Sequence, residues 1–154
     1  MDIQLSNDAS TIHHIMIEAF SEYADDPQPS SALVETVETI TADLQNGALA
    51  LVGKVDGQPV AMVRYTMQPS SIYFYRLSVV PSFQGKGYAK TILFTLEQYA
   101  KQHNIPEIHC KVRMSVPRNI YLYESIGYEV IEKEQTTNSL GAMMTVVTMK
   151  KDLI

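Results

Sequence analysis

The run Gln84-Gly85-Lys86-Gly87-Tyr88-Ala89 constrains this chain more than any other stretch. It follows a strand-like segment, Ser71 to Val80, and opens a helix-like segment from Lys90 to His103. Where a strand turns through glycines into a helix, the first helical N–H groups have no intrahelical partner and the helix dipole favours negative charge. Gly85 and Gly87 remove side chains that would keep a diphosphate off the backbone, and Lys86 adds a mobile positive charge. The loop predicts a bound pyrophosphate, and the rest of the chain must say whose.

The surrounding elements narrow the fold. Ile3 to Leu5 reads as a short strand, and Asn7 or Asp8 can cap a helix with Ile12, Ile15, Met16, Ala19 and Phe20 along one stripe. The acidic, proline-containing stretch Tyr23 to Ser31 reads as a loop. A second helix carries Leu33, Val37, Ile40 and Leu44 on one side and ends at Gly47. Ala48 to Val55 and Val60 to Gln68 are strands joined by the hairpin signal Asp56-Gly57. After the glycine loop, Ala89, Ile92, Leu93, Leu96, Tyr99 and Ala100 form the stripe of a third helix, and Ile108, Cys110 and Val112 alternate on a strand. Pro117 suits the first turn of a fourth helix and Gly127 its C-terminal cap. Tyr128 to Gln135 and Ala142 to Lys150 close the chain as two strands.

That order predicts an α/β (α+β) fold with a mixed, mostly antiparallel central sheet and helices on both faces. The crossover through the third helix requires a parallel strand pair in the middle of the sheet. No linker or internal repeat interrupts the chain, so residues 1–154 read as one domain.

Three ligands fit a glycine loop of this kind. A dinucleotide fold would place a third glycine where Lys90 stands and would repeat its β-α-β units, which this chain does not. A P-loop needs Gly-Lys-Ser/Thr, which is absent. The third candidate is coenzyme A.

Here the chain resembles the GNAT superfamily of acyl-CoA-dependent N-acyltransferases. Gln84, Gly87 and Ala89 match its Gln/Arg-x-x-Gly-x-Gly/Ala motif, Leu77-Ser78-Val79-Val80-Pro81 matches the strand leading into it, and Asn119 to Tyr128 matches its later Leu-Tyr-x-x-x-Gly-aromatic signature. The element order is also that of the superfamily, with the two central parallel strands splayed apart. The resemblance implies that backbone amides of Gly85, Lys86, Gly87, Tyr88 and Ala89 hold the pyrophosphate of acetyl-CoA, with Gln84, Ser78 and Lys90 in the same site. It implies that Leu77 and Val79 pair with the pantetheine arm as an added strand. Asn119 contacts that arm in the same reading, and Tyr123 stands near the sulfur. Many members carry an Asn where this chain has Val116, and a Glu base on the strand before the loop, where this chain has Tyr73, Phe74, Tyr75, Arg76 and Ser78. The base is therefore not identified by the motif.

The implied reaction moves acetyl from acetyl-CoA to a primary amine of a small molecule or peptide, by direct attack in a ternary complex. The amine must lose a proton, since an alkyl ammonium has a pKa of about 10.4. The Val79 N–H would donate to the thioester oxygen, and a Tyr123 hydroxyl, with a free pKa of about 10, would act as general acid to the leaving thiolate. Without a carboxylate on the central strand, the alternative is a non-catalytic acyl-CoA-binding or sensing domain; transfer of a longer acyl chain is a subsidiary reading. Glu18, Glu22, Tyr23, Asp25 and Tyr75 are the candidate acceptor-site residues. With Asp26, the acidic side chains among them predict a small cationic amine, on a chain whose net charge is -5.

Other features exclude function classes. The acidic balance argues against nucleic-acid binding, and no apolar run reaches the about 18 residues needed to span a bilayer. The single Cys110 excludes an intrachain disulfide and fits a reducing compartment. Met1 to Leu5 lacks a basic region followed by an apolar core, so the reading is a cytoplasmic protein. His13, His14, His103 and His109 lack metal-ligand spacing, so no metal is expected. Family members are often homodimers, though no interface is legible in this sequence.

Overall fold

The Asp56-Gly57 turn sets the first hairpin. Both residues have positive φ, +51° and +79°, the combination whose twist matches that of paired antiparallel strands. In the computed structural model of this protein, residues 1–21, 31–137, 141 and 143–153 are described. The turn joins β2 (Leu49–Val55) to β3 (Gln58–Met67), and β1 (Asp2–Leu5) pairs with the outer edge of β2. Then follow β4 (Ser71–Val79), β5 (Glu107–Arg113), β6 (Glu129–Thr137) and β7 (Met143–Asp152). The sheet has seven strands in the order β1-β2-β3-β4-β5-β7-β6, and β4–β5 is its parallel pair.

Among the described residues, four α-helices cover it: α1 (Ala9–Phe20), α2 (Val37–Gln45), α3 (Tyr88–Gln102) and α4 (Pro117–Glu124). Their starts follow local chemistry. Asp8 accepts from the Thr11 N–H at 3.2 Å, and Thr36 and Thr39 cap α2 reciprocally. That cap corrects the second-helix stripe. Leu33 lies in a separate 3₁₀ turn, Ser31–Val34, because the chain is extended at Thr36 before α2 begins. Gly127 takes the predicted place of the left-handed glycine that closes α4, its N–H donating to the Glu124 carbonyl at 3.2 Å. α4 ends at Glu124, and Gly127, at φ +101°, turns the chain so that the Tyr128 N–H reaches the Tyr123 carbonyl at 3.0 Å.

Neighbouring residues of β3 show that both faces of the sheet are covered, since successive strand side chains point to opposite sides. Arg64 contacts Met16 of α1 and Asp43 of α2, whereas the Tyr65 ring meets Tyr99 of α3. Phe74, opposite Tyr65 in register, likewise packs against Tyr123 of α4. The α3 face is pinned by a buried charge. Glu97 accepts from the Tyr128 hydroxyl at 3.0 Å and from Lys151 Nζ at 2.8 Å, tying α3 to the segment after α4 and to β7. Among the described residues, no helix is long and apolar enough to cross a membrane.

Candidate active site

The site begins where β4 and β5 separate. Their parallel register covers only Ser71↔Glu107, Ile72↔Ile108 and Tyr73↔His109. Beyond Tyr73, β4 stays on β3 while β5 stays on β7, so the facing edges of the two central strands open into a gap. A bulge helps re-aim β4 there. Met62 and Arg64, two positions apart on β3, face Ser78 and Tyr75, three apart on β4. The additional residue is accommodated at Arg76, in the left-handed region at φ +57°. Past the bulge, the Val80 N–H donates to the Val60 carbonyl at 2.9 Å. Successive amides of an extended chain point to opposite edges, so the Val79 N–H faces the gap.

A cleft of about 460 Å³ lies between this edge, the glycine loop and α4. Leu77, Ser78 and Val79 line it from β4, Gln84, Gly85, Gly87, Tyr88, Ala89 and Lys90 from the loop and α3, and Asn119 and Tyr123 from α4. Leu122, the leucine of the Leu-Tyr signature, also lines it, as do Phe20 and Arg118, which no motif singled out. Lys86 does not line the cleft; its Nζ sits over the Phe83 ring, 5.1 Å from the centroid.

The loop is held open by its own backbone. Gly85 and Gly87 have φ of +79° and +83°, and a Cβ built on either would meet no protein atom within 4 Å. The room beside them is therefore cleft rather than packing. Gly87 is the N-cap of α3 and provides no side-chain acceptor, so the first amides of that helix keep their donor capacity. Gln84 braces the other end of the loop, its Nε2 donating to the Val79 carbonyl at 3.0 Å.

A second cleft, of about 910 Å³, opens on the opposite side of the gap. Phe20, Leu77, Asn119 and Tyr123 line both, so the clefts share a wall. Tyr73 and Tyr75 lie along the second one with ring centroids 5.6 Å apart. Beside them stands a cluster that periodicity did not reveal. Arg64, 1% exposed, donates to Glu35 Oε2 at 2.6 Å and to Asp43 Oδ2 at 3.0 Å. Arg76 Nε donates to the same Glu35 oxygen at 2.9 Å, and the Tyr75 hydroxyl donates to Asp43 at 2.6 Å. A guanidinium stays charged even when buried, which accounts for two carboxylates converging on Arg64. Burial and the Asp43 carboxylate push the Tyr75 hydroxyl pKa far up. Arg64 sits in an apolar run, Val60 to Tyr65, so its position was the available signal: a charge inside a central strand needs counterions from elsewhere.

Of the candidate acceptor residues, Tyr75 lines the second cleft. Glu18 lines neither; it pairs with His14 at 3.2 Å on an exposed side of α1. Glu22, Tyr23, Asp25 and Asp26 lie outside the described residues. Tyr123, at the wall between the clefts, packs edge-on against Phe74 and lies 5.9 Å from the Tyr128 ring. Burial pushes its hydroxyl pKa far above the usual phenol range, so it carries its proton at neutral pH. Cys110 is buried behind, its thiol pushed up to about 12 by desolvation, and so unsuited to nucleophilic attack.

Comparison with known proteins matches residues 11–128 to the model of the acetyltransferase (GNAT) family. An acetyltransferase from Pectobacterium atrosepticum is 34% identical over 86 residues, which cover 54% of this chain and 60% of that relative. The match thus spans about three-fifths of the relative's length. Among solved structures, the ribosomal-protein-S18-alanine N-acetyltransferase of Escherichia coli has the same fold with TM-score 0.78 at 17% identity, covering 99% of this chain and 94% of that one. The PaiA N-acetyltransferase of Thermoplasma acidophilum, solved in complex with coenzyme A, aligns with TM-score 0.75 at 17% identity, covering 99% of each chain.

Proposed function

Because the chain belongs to the acetyltransferase (GNAT) family, we propose that it transfers the acetyl group of acetyl-CoA to a primary amine by direct attack in a ternary complex. One observation carries this reading: Tyr123, a protonated phenol, stands in the wall between a backbone-lined cleft and a side-chain-lined one. Two substrates entering from opposite sides of the β4–β5 gap would meet there.

The residues of the first cleft fit acetyl-CoA. The uncapped start of α3 and the amides of Gly85 to Ala89 offer donors to a diphosphate, and the space beside both glycines lets it approach the backbone. Leu77 and Val79 present a strand edge without a β5 partner, which suits an extended pantetheine arm. The Val79 N–H, facing the gap, donates to the thioester oxygen as charge builds on it. Tyr123 gives its proton to the leaving sulfur. The Lys86 ammonium rests over the Phe83 ring, and its backbone amide joins those of the loop toward the diphosphate.

The absence of a carboxylate on β4 left a non-catalytic acyl-CoA-binding module as the alternative to the enzyme. Glu35 and Asp43 supply carboxylates to the second cleft from other elements, which supports the enzyme. The incoming ammonium loses its proton to one of them, directly or through water.

The test is release of free thiol from acetyl-CoA, measured against a broad panel of primary amines. An enzyme releases thiol faster with some amine than without. Stoichiometric retention of acetyl-CoA and no amine-dependent release across amino acids, polyamines, aminoglycosides and peptides would establish a sensor instead.

A further inference from the structure

Glu35 and Asp43 both reach Arg64, but they are held differently. Glu35 Oε2 accepts from two guanidiniums, Arg64 Nη2 at 2.6 Å and Arg76 Nε at 2.9 Å, and its side chain is 20% exposed. Asp43 Oδ2 accepts from one guanidinium, Arg64 Nη1 at 3.0 Å, and from the uncharged Tyr75 hydroxyl at 2.6 Å, with its side chain 36% exposed. A proton on Glu35 would weaken two ion pairs, and a proton on Asp43 one. Asp43 is also anchored. It stands in the last turn of α2, and its carbonyl accepts from the Asn46 and Ala48 amides at 3.2 and 3.1 Å, which ties that helix end to the start of β2. Tyr75, which lines the second cleft, has its ring under the Arg64 guanidinium, with Cζ 5.1 Å from the centroid, and beside Tyr73. Its hydroxyl proton is directed at Asp43. A phenol oxygen accepts as well as donates, so its lone pairs are left for a donor in the cleft, and an ammonium brings three.

Resting on the transferase reading above, we propose that Asp43 is the general base of the transfer and that Tyr75 carries the proton to it. An N–H bond of the ammonium breaks as a bond from that hydrogen to the Tyr75 oxygen forms. The Tyr75 O–H bond breaks in the same step, and its proton ends on Asp43 Oδ2. The freed nitrogen lone pair attacks the thioester carbon, and the Tyr123 proton goes to the leaving sulfur. After the products depart, Asp43 gives its proton to solvent and Tyr123 takes one back. Tyr75 is never left as a phenolate, which burial and the Asp43 carboxylate both disfavour. Arg64 is then a positioning residue for both members of the relay, since it holds the Asp43 carboxylate and covers the Tyr75 ring. Glu35 in turn holds Arg64 and Arg76 in place.

The experiment measures kcat and KM against pH for the parent, Asp43→Asn, Glu35→Gln and Tyr75→Phe, with acetyl-CoA and the primary amine that gives most thiol release in the panel above. Among the described residues, the polar groups that meet the Asp43 side chain are Arg64 of β3 and Tyr75 of β4, with Glu35 and Arg76 joined to it through Arg64. Asp43→Asn keeps an oxygen for both neighbours. Its kcat should fall about 10²–10⁴-fold at neutral pH. Its kcat/KM should then climb about tenfold per pH unit toward the pKa of the amine, because only amine that arrives neutral reacts. The parent deprotonates bound ammonium and should change far less over the same range. Glu35→Gln takes a carboxylate from the same guanidinium, and whatever it costs in rate, its profile should keep the parent's shape. Tyr75→Phe keeps the ring under Arg64 and should lower kcat at least about tenfold. An Asp43→Asn enzyme as fast as the parent, or one slower with the parent's profile, overturns the inference and leaves the transferase reading intact; so does the steep profile appearing in Glu35→Gln instead. Parental kcat in Tyr75→Phe overturns the relay. Should Asp43→Asn not fold, Tyr75→Phe decides by itself, a lowered kcat upholding the relay. A parent that releases no thiol with any amine marks failure of the transferase reading, and the inference falls with it.

Discussion

The two clefts meet at Tyr123 but are made of different material. The first is built around backbone: three residues of β4 and the loop into α3 line it within a single stretch, residues 77–90, and α4 closes it with Arg118, Asn119, Leu122 and Tyr123. The second is side chains: its ionic groups come from the segment before α2, from α2 itself, and from β3, β4 and β5. A backbone site depends on φ, on glycine and on a helix start, all of which local sequence specifies. A side-chain site depends on which elements the sheet brings together, so its members stand dozens of residues apart. The contrast predicts that changes on one side leave the other largely intact, and that the residues of the shared wall, Tyr123 above all, matter to both.

Replacing Tyr123 should have the largest effect. Tyr123→Phe keeps the ring against Phe74 and deletes the hydroxyl, so kcat should fall about 10²–10⁴-fold while calorimetry finds the acetyl-CoA affinity little changed. Full activity would remove Tyr123 from the chemistry and leave the shared wall a packing feature.

Next comes Arg64→Leu, which strikes the second cleft alone. It leaves the Glu35 and Asp43 carboxylates without the guanidinium they converge on. The expected loss is about 3 kcal/mol in denaturant unfolding, at the low end for a broken buried pair because both carboxylates still reach solvent. Acetyl-CoA affinity of the folded variant should hold. A parallel fall in that affinity would mean that the clefts are coupled through β3 and β4.

Gly87→Val tests the first cleft in the same way. Its φ of +83° strains any side chain, and the added atoms project into the cleft rather than into protein. Acetyl-CoA binding should weaken roughly 10- to 100-fold by crowding, with the folded variant's affinity for an acceptor retained. Unchanged acetyl-CoA affinity would place that ligand elsewhere.

Much of the fold was legible because its signals are local. The Asp56-Gly57 hairpin, the Pro117 helix start and the alternation Ile108, Cys110, Val112 each require nothing beyond neighbouring residues. The misreadings have physical causes. Leu33 kept the helical spacing of α2, but Thr36 and Thr39 satisfy each other's backbone amides and begin the helix later. The bulge at Arg76 had no glycine or asparagine to announce it; it persists because Arg76 is also held by Glu35.

Sequence alone was sufficient for the glycine loop, the helix that starts from it and the crossover that makes β4 and β5 parallel. Each follows from backbone geometry, and backbone geometry is encoded within a few residues. The fold had to supply the separation of those two strands after Tyr73 and the convergence of Glu35 and Asp43 on Arg64. Those arise from charges that are hidden from water in company with one another, and which charges share company is set by sheet order rather than by spacing along the chain.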